Sequence, residues 1–211
     1  MIPYGLYHSS VYSANNDFDY TEKSFLPINT DAFGFEFFYS TGNSDHCENE
    51  YALDLFTFLL DKDDIVFNDQ LYFYGNGGSK DSPVIARELV NSIWGYPVES
   101  DAFYFYMSKV PEEVKTIMFA GFLYDAAARN QKLQDLEFIR VRLFTMDNHN
   151  EDGKTVLQYT ITPDMFGTDK CNIMVFLSLV HNKDGWKLIK HNMPICIDPI
   201  QFVEKYRVPG K

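Results

Sequence analysis

Several things are scarce in this chain, and each scarcity excludes a class of protein. Cysteine comes first. Cys47, Cys171 and Cys196 are an odd number at wide spacing, so no disulfide framework is expected and a reduced compartment is. No stretch approaches the roughly 20 apolar residues of a membrane span. The first residues lack the basic, apolar and small-residue regions of a secretory signal. A soluble, cytoplasmic protein without direct membrane insertion is the expectation. Cations are also short, with 18 Lys plus Arg against 30 Asp plus Glu and a net charge of −12. That field repels nucleic-acid phosphates and anionic lipid and attracts cations, so no nucleic acid is expected as a partner.

Catalytic signatures are missing too. No two of His8, His46, His149, His181 and His191 have metal spacing or adjoin a nucleophile motif. There is no Gly-x-Ser-x-Gly, and Gly77-Gly78 is not followed by the Gly-Lys-Ser/Thr of a phosphate loop. His191, close to Trp186, is a candidate base that reads more simply as a rim histidine. A non-enzymatic protein is expected, with a hydrolase on a β-sandwich as the remote alternative.

What is present is aromatic. Nineteen Phe and 14 Tyr favour sheets over helical bundles, and a 45% hydrophobic chain of 211 residues can bury one sizeable core. The pattern is centred on Val110–Phe144. Pro111-Glu112-Glu113 suits a short helical turn. Thr116 to Tyr124 is apolar on both alternate faces, as in a strand covered on both sides. Glu137 to Phe144 alternates instead: Ile139, Val141 and Leu143 point one way, Arg140 and Arg142 the other. That outward arginine pair reads as a solvated stripe.

Around this centre, Phe33 to Tyr39 is strand-like with Phe33, Phe35 and Phe37 on one face. Thr41 to Glu50 is a polar loop, in which Asp45-His46-Cys47-Glu48 lacks the second ligand cluster of a zinc site. Strands follow at Tyr51–Leu60, Leu71–Asn76 and Phe103–Met107. Ile85, Leu89, Val90 and Ile93 cluster at helical spacing and predict a helix over Val84–Trp94. Asp61-Lys62-Asp63-Asp64 and Asn148-x-Asn150-x-Asp152-Gly153 imitate parts of a calcium loop but lack its distal Glu, so turn chemistry explains them better. Lys154–Ile161, the alternating Ile173–Leu179 and Trp186–His191 read as strands, the last two joined by an Asp184-Gly185 hairpin. Asp198-Pro199 starts a terminal helix with Ile200, Phe202, Val203 and Tyr206 as its apolar side.

Short strands between turn signals predict an all-β chain, an antiparallel two-sheet β-sandwich with a few short helices. A mixed α+β fold is the runner-up if Val84–Trp94 and Asp125–Asp135 are both helical. Residues 1–32 read as an N-terminal strand or arm and residues 33–211 as one compact domain.

One ordered set of motifs resembles the TerD family of tellurium-resistance and stress proteins. Its centre is Thr116-Ile-Met-Phe-Ala-Gly-Phe-Leu-Tyr-Asp-Ala-Ala-Ala-Arg-Asn-Gln131 followed by Phe138-Ile-Arg-Val141. Leu71-Tyr-Phe-Tyr-Gly-Asn76, Ser108-Lys-Val-Pro111 and Gly185-Trp-Lys-Leu188 match in the family's order, and the likeness extends over roughly Phe33 to Val208. It implies the same sandwich, protein partners such as other Ter-family proteins, and calcium held by acidic loops at one end. In the family an Asp-Leu-Asp strand and a glycine-rich acidic loop supply the hard oxygens that calcium takes, roughly six to eight in number. Here Ala52-Leu53-Asp54 keeps only the second Asp. The loop positions hold Asn91, Glu99 and Asp101, and Trp94, Tyr96 and Pro97 replace glycines. The resemblance thus implies one weakened calcium site of Asp54, Asn91, Glu99 and Asp101. Its alternative is a degenerate interaction subunit that has lost the metal.

Overall fold

The computed structural model describes residues 31–41, 51–73, 75–79, 81–93, 96–146, 155–166 and 170–207, with the backbone alone over 86–93 and 96–101. The expectations for residues 1–30, the Asp45–Glu48 loop and the Asn148–Gly153 turn lie outside these residues. The described residues form ten strands in two five-stranded antiparallel sheets. In the first sheet the order is β4 (Val84–Ile93), β5 (Tyr96–Tyr106), β1 (Ala32–Ser40), β7 (Phe138–Thr145), β8 (Thr155–Ile161). In the second it is β10 (Gly185–Ile195), β9 (Ile173–Asn182), β6 (Thr116–Leu123), β2 (Leu53–Leu60), β3 (Val66–Tyr72). The expected β-sandwich is what the chain builds.

The core lies between the sheets because alternate residues of each strand share a face. Phe33, Phe35 and Phe37 of β1 are fully buried, and Phe35 stacks on Phe119 of β6 at 4.3 Å between ring centroids. Phe105 meets the same ring edge-on at 5.1 Å. Strand β6 sits in the middle of its sheet, between β9 and β2, and is covered on both faces as its two-sided apolar run predicts. Gly121 is required there: a Cβ would lie 2.9 Å from the Phe176 ring. Strands β6 and β7 fall in different sheets, so residues 124–137 carry the chain from one layer to the other. They do so through the single turn α1 (Ala126–Arg129) and a 3-10 turn at Leu133–Asp135.

Three local expectations are corrected, and the Pro111 turn is met. The predicted helix over Val84–Trp94 is strand β4, paired with β5 without interruption from Val84↔Phe105 to Ile93↔Tyr96. Its β-branched residues find a full antiparallel ladder there, and tertiary pairing overrides helical spacing. The aromatic strand expected from Leu71 begins earlier, at Val66, because Asn68 and Asp69 adopt positive φ inside it and disguise the pattern. Pro111–Glu113 makes the short turn expected, closed by the Val114 N–H to the Pro111 carbonyl at 3.1 Å. Cys171 and Cys196 are disulfide-bonded, contrary to the reading of three unpaired thiols. Their separation of 25 residues is spanned by the β9–β10 hairpin, whose open end brings them together.

The outer face of the second sheet is apolar and carries the last helix, α2 (Pro199–Glu204). Asp198 caps it through Oδ1, which accepts the Ile200 and Gln201 N–H groups at 2.9 and 3.2 Å. Phe202, Val203 and Tyr206 pack on Phe58, Met118 and Phe122, while Ile200 is 71% exposed. Two residues apart on a helix is roughly 200° of rotation, so Ile200 and Phe202 cannot share a side. The arginines of β7 also depart from expectation. They do not form a solvated stripe. Arg142 donates from Nη1 to Glu36 Oε1 at 3.0 Å, with both side chains about 13–14% exposed, and lies over Phe144. Arg140 lies over Phe38 and Phe138. No helix among the described residues is long and apolar enough to cross a membrane.

Candidate functional site

The end of the sandwich where β1 finishes and β2 begins gathers both segments singled out for calcium. Tyr39, near the end of β1, donates from its hydroxyl to the Tyr51 carbonyl at 2.6 Å and accepts the Leu53 N–H at 3.2 Å. Leu53 is next to Asp54, so this bond fixes the start of β2 against β1. On the other side of β1 runs β5, with Phe38 paired to Ser100 and Phe37 to Asp101. The backbone of Asp101 lies between Phe37 and Glu88, that of Glu99 opposite Val90, and that of Asn91 opposite Val98. Strands β2 and β5 approach each other across the two layers. The segment expected as a loop between Asn91 and Asp101 is the far half of a hairpin, β4–β5.

The four residues thus share one end at the level of the backbone. The side chains of Asn91, Glu99 and Asp101 lie outside the described residues. Asp54 is half-buried opposite Phe122 and alternates with Leu53 and Leu55, which point into the core. It therefore shares the outer face with Phe56 and Phe58 rather than the space between the sheets. The described residues contain no group of three or more His, Cys, Asp or Glu side chains able to hold a metal ion. Calcium needs more oxygen than Asp54 supplies, so any site here depends on the hairpin.

A second polar cluster at this end escaped the sequence reading. Asp135 Oδ2 accepts the Lys132 N–H at 3.0 Å, its carboxylate stands 3.9 Å from Lys132 Nζ, and it hydrogen-bonds the Tyr51 phenol. Burial first, then the Asp135 charge and hydrogen bond, push the Tyr51 pKa up to about 12. The phenol stays protonated and locks residue 51, ahead of β2, to the β6–β7 connection. The sequence carries no capping-box signal here, because Lys132 has no side-chain acceptor; only the Asp135 half of the exchange is made.

His191 has a different partner from the one its sequence position suggested. Its Nε2 lies 2.9 Å from the Ser178 hydroxyl on the neighbouring strand; the residue is exposed overall, and desolvation of the ring edge facing the sheet lowers its pKa. Trp186 stacks instead on His181 at 4.8 Å and is partly buried against the core. Ser178 is 4% exposed, so its hydroxyl is held within the sheet rather than offered to a substrate.

The described residues thus define a two-layer antiparallel sandwich. A family model described as the TerD domain matches residues 39–193, and the chain belongs to the TerD family. Among solved structures, the fold is similar to a homologue of telluride resistance protein (TerD) from Streptomyces coelicolor A3(2). That likeness has a TM-score of 0.60 at 13% identity, over 85% of this chain and 99% of the other. A protein of unknown function is similar at TM-score 0.59 and 10% identity, over 82% of this chain and 95% of that one. A search of the curated proteins finds no significant match.

Proposed function

We propose that this chain is a non-enzymatic scaffold of the tellurite-resistance and stress class. In this reading it works in a cytoplasmic complex with protein partners, other Ter-family proteins among them. It carries one weakened calcium site made by Asp54 with Asn91, Glu99 and Asp101. The observation behind the reading is the meeting of the two segments: the start of β2 and the far half of the β4–β5 hairpin lie at one end, tied by Tyr39. Fewer acids than the family pattern mean lower affinity, since ligand charge count and rigidity tune calcium binding. Calorimetric titration of chelator-stripped protein tests it. One calcium per chain is the expected stoichiometry, with no comparable heat from magnesium, which demands a tighter octahedral cage.

A second reading draws on a specific observation. Ala52 stands where the family has its first Asp, and Asp54 shares the outer face with Phe56 and Phe58. On that ground the alternative is an interaction subunit that has lost calcium. A titration without heat, on protein with an intact thermal transition, selects it.

A further inference from the structure

After β10 the chain does not stop at the sheet edge. It crosses the whole outer face of the second sheet, from β10 at one edge to β3 at the other. Ile195 and Ile197 begin the crossing. Phe202 then packs edge-on against Phe122 at 5.5 Å and Phe58 at 6.0 Å, and Tyr206 against Phe58 at 5.4 Å. At the far side the Val66 N–H of β3 donates to the Tyr206 carbonyl at 2.6 Å. A helix of six residues is too short to hold itself in water, so this strap is helical only while it is seated.

Its near end has a covalent anchor. Cys196, the first residue after β10, is bonded to Cys171, two residues before β9. The two halves of the bond differ. Cys171 is 3% exposed, lies in the core cluster, and has its carbonyl held by the Leu133 N–H at 2.9 Å. Cys196 is exposed and belongs to the strap.

We propose that Cys171–Cys196 is a thiol–disulfide switch that sets whether the C-terminal strap stays closed over the apolar outer face of the second sheet. Reduction by a monothiol of the glutathione class begins at the exposed sulfur. The thiolate attacks Cys196 Sγ, the disulfide breaks, and the electron pair leaves on Cys171 Sγ, which takes a proton from water. A second thiolate attacks the external sulfur of the mixed disulfide and releases Cys196 as a thiolate, which is protonated in turn. Two external thiols become one disulfide, and the protein gains two thiols. Oxidation by the corresponding disulfide runs the same steps backwards. With the bond open, Cys171 stays in the core while Cys196 is free to leave with the strap. Phe58, Leu60, Met118 and Phe122 then lose their cover.

Amide hydrogen exchange of the full-length chain, in a Cys47→Ser background so that only this pair is present, tests the proposal. Protein equilibrated in oxidised glutathione is compared with protein in reduced glutathione. Residues 196–207 should exchange on the order of tenfold faster when reduced, as expected of a local opening, while β1 and β6 do not change. Cys196→Ser should exchange like the reduced form in both buffers. Equal exchange of residues 196–207 in the two buffers overturns the proposal, as does thiol trapping that finds both cysteines free in oxidised glutathione.

Discussion

The two sheets treat their outer faces in opposite ways. The second sheet presents Phe58, Met118, Ala120 and Phe122, and covers them with the strap that carries Phe202 and Tyr206. The first sheet presents Glu36 and Phe38 on β1 and Arg140, Arg142 and Phe144 on β7. There the guanidinium groups spread over the rings, and Arg142 pairs with Glu36. One face is closed by burial, the other by cations lying on aromatic surface. Stability on the second sheet should therefore depend on volume and on the strap. On the first it should depend on charge pairing. The difference can be broken by mutation.

The largest effect is expected where both layers meet. Phe119 is fully buried against Phe35 and Phe105, and Phe119→Ala should cost about 3–5 kcal/mol. Urea denaturation reads it, and an unchanged midpoint would remove β6 from the core. Phe202→Ala deletes the strap's main contact and should cost about 3 kcal/mol, the low end for a buried aromatic, because the strap has water on its other side. It should also speed hydrogen exchange in residues 198–207. A loss of stability without that change would show that the strap is held by something other than Phe202.

On the first sheet, Glu36→Ala leaves the largely buried Arg142 without its carboxylate, though still bonded to Thr155 Oγ1, and about 1–2 kcal/mol is expected. Melting of the Glu36→Ala and Arg142→Ala single and double variants isolates the pair. Additive losses would mean that the two side chains contribute packing and not charge. The smallest effect belongs to His191. Burial lowers its pKa below the ordinary value of 6.5, so the unfolded chain takes up that proton first. The stabilisation from neutral His191 is complete above the unfolded value and is lost as pH falls through the folded one. His191→Gln should flatten the stability profile below about pH 6.5. A variant with the wild-type slope there would assign the dependence to another group.

Much of this was readable in the residues, for reasons that differ from place to place. Phe33, Phe35 and Phe37 announced β1 because period-two alternation survives whenever one face is buried. The apolar run from Thr116 announced a strand covered twice, although nothing in it said that a short terminal helix would be the second cover. Val84 to Ile93 misled because Ile85, Leu89, Val90 and Ile93 fit helical spacing, and only its ladder with β5 decides the matter. The Cys171–Cys196 bond was invisible because the partners are brought together by a hairpin rather than by spacing. Arg140 and Arg142 were placed on the correct face, but Phe38, Phe138 and Phe144, which take them out of water, are neighbours only in the folded sheet. Asp54 was singled out by its motif. Its outward direction follows from the alternation of Leu53 and Leu55, once the layer they point to is known.

The central claim is that the end where β2 meets the β4–β5 hairpin still binds calcium. Its most direct test is the melting temperature of folded, chelator-stripped protein measured in millimolar calcium and in chelator, beside Asp101→Asn. A ligand that binds the native state alone adds about 2.7 kcal/mol when it exceeds Kd a hundredfold. The melting temperature should therefore rise with calcium, rise less in Asp101→Asn, and stay where it is with magnesium. An identical melting temperature in calcium and in chelator contradicts the claim and leaves the calcium-free interaction subunit in its place.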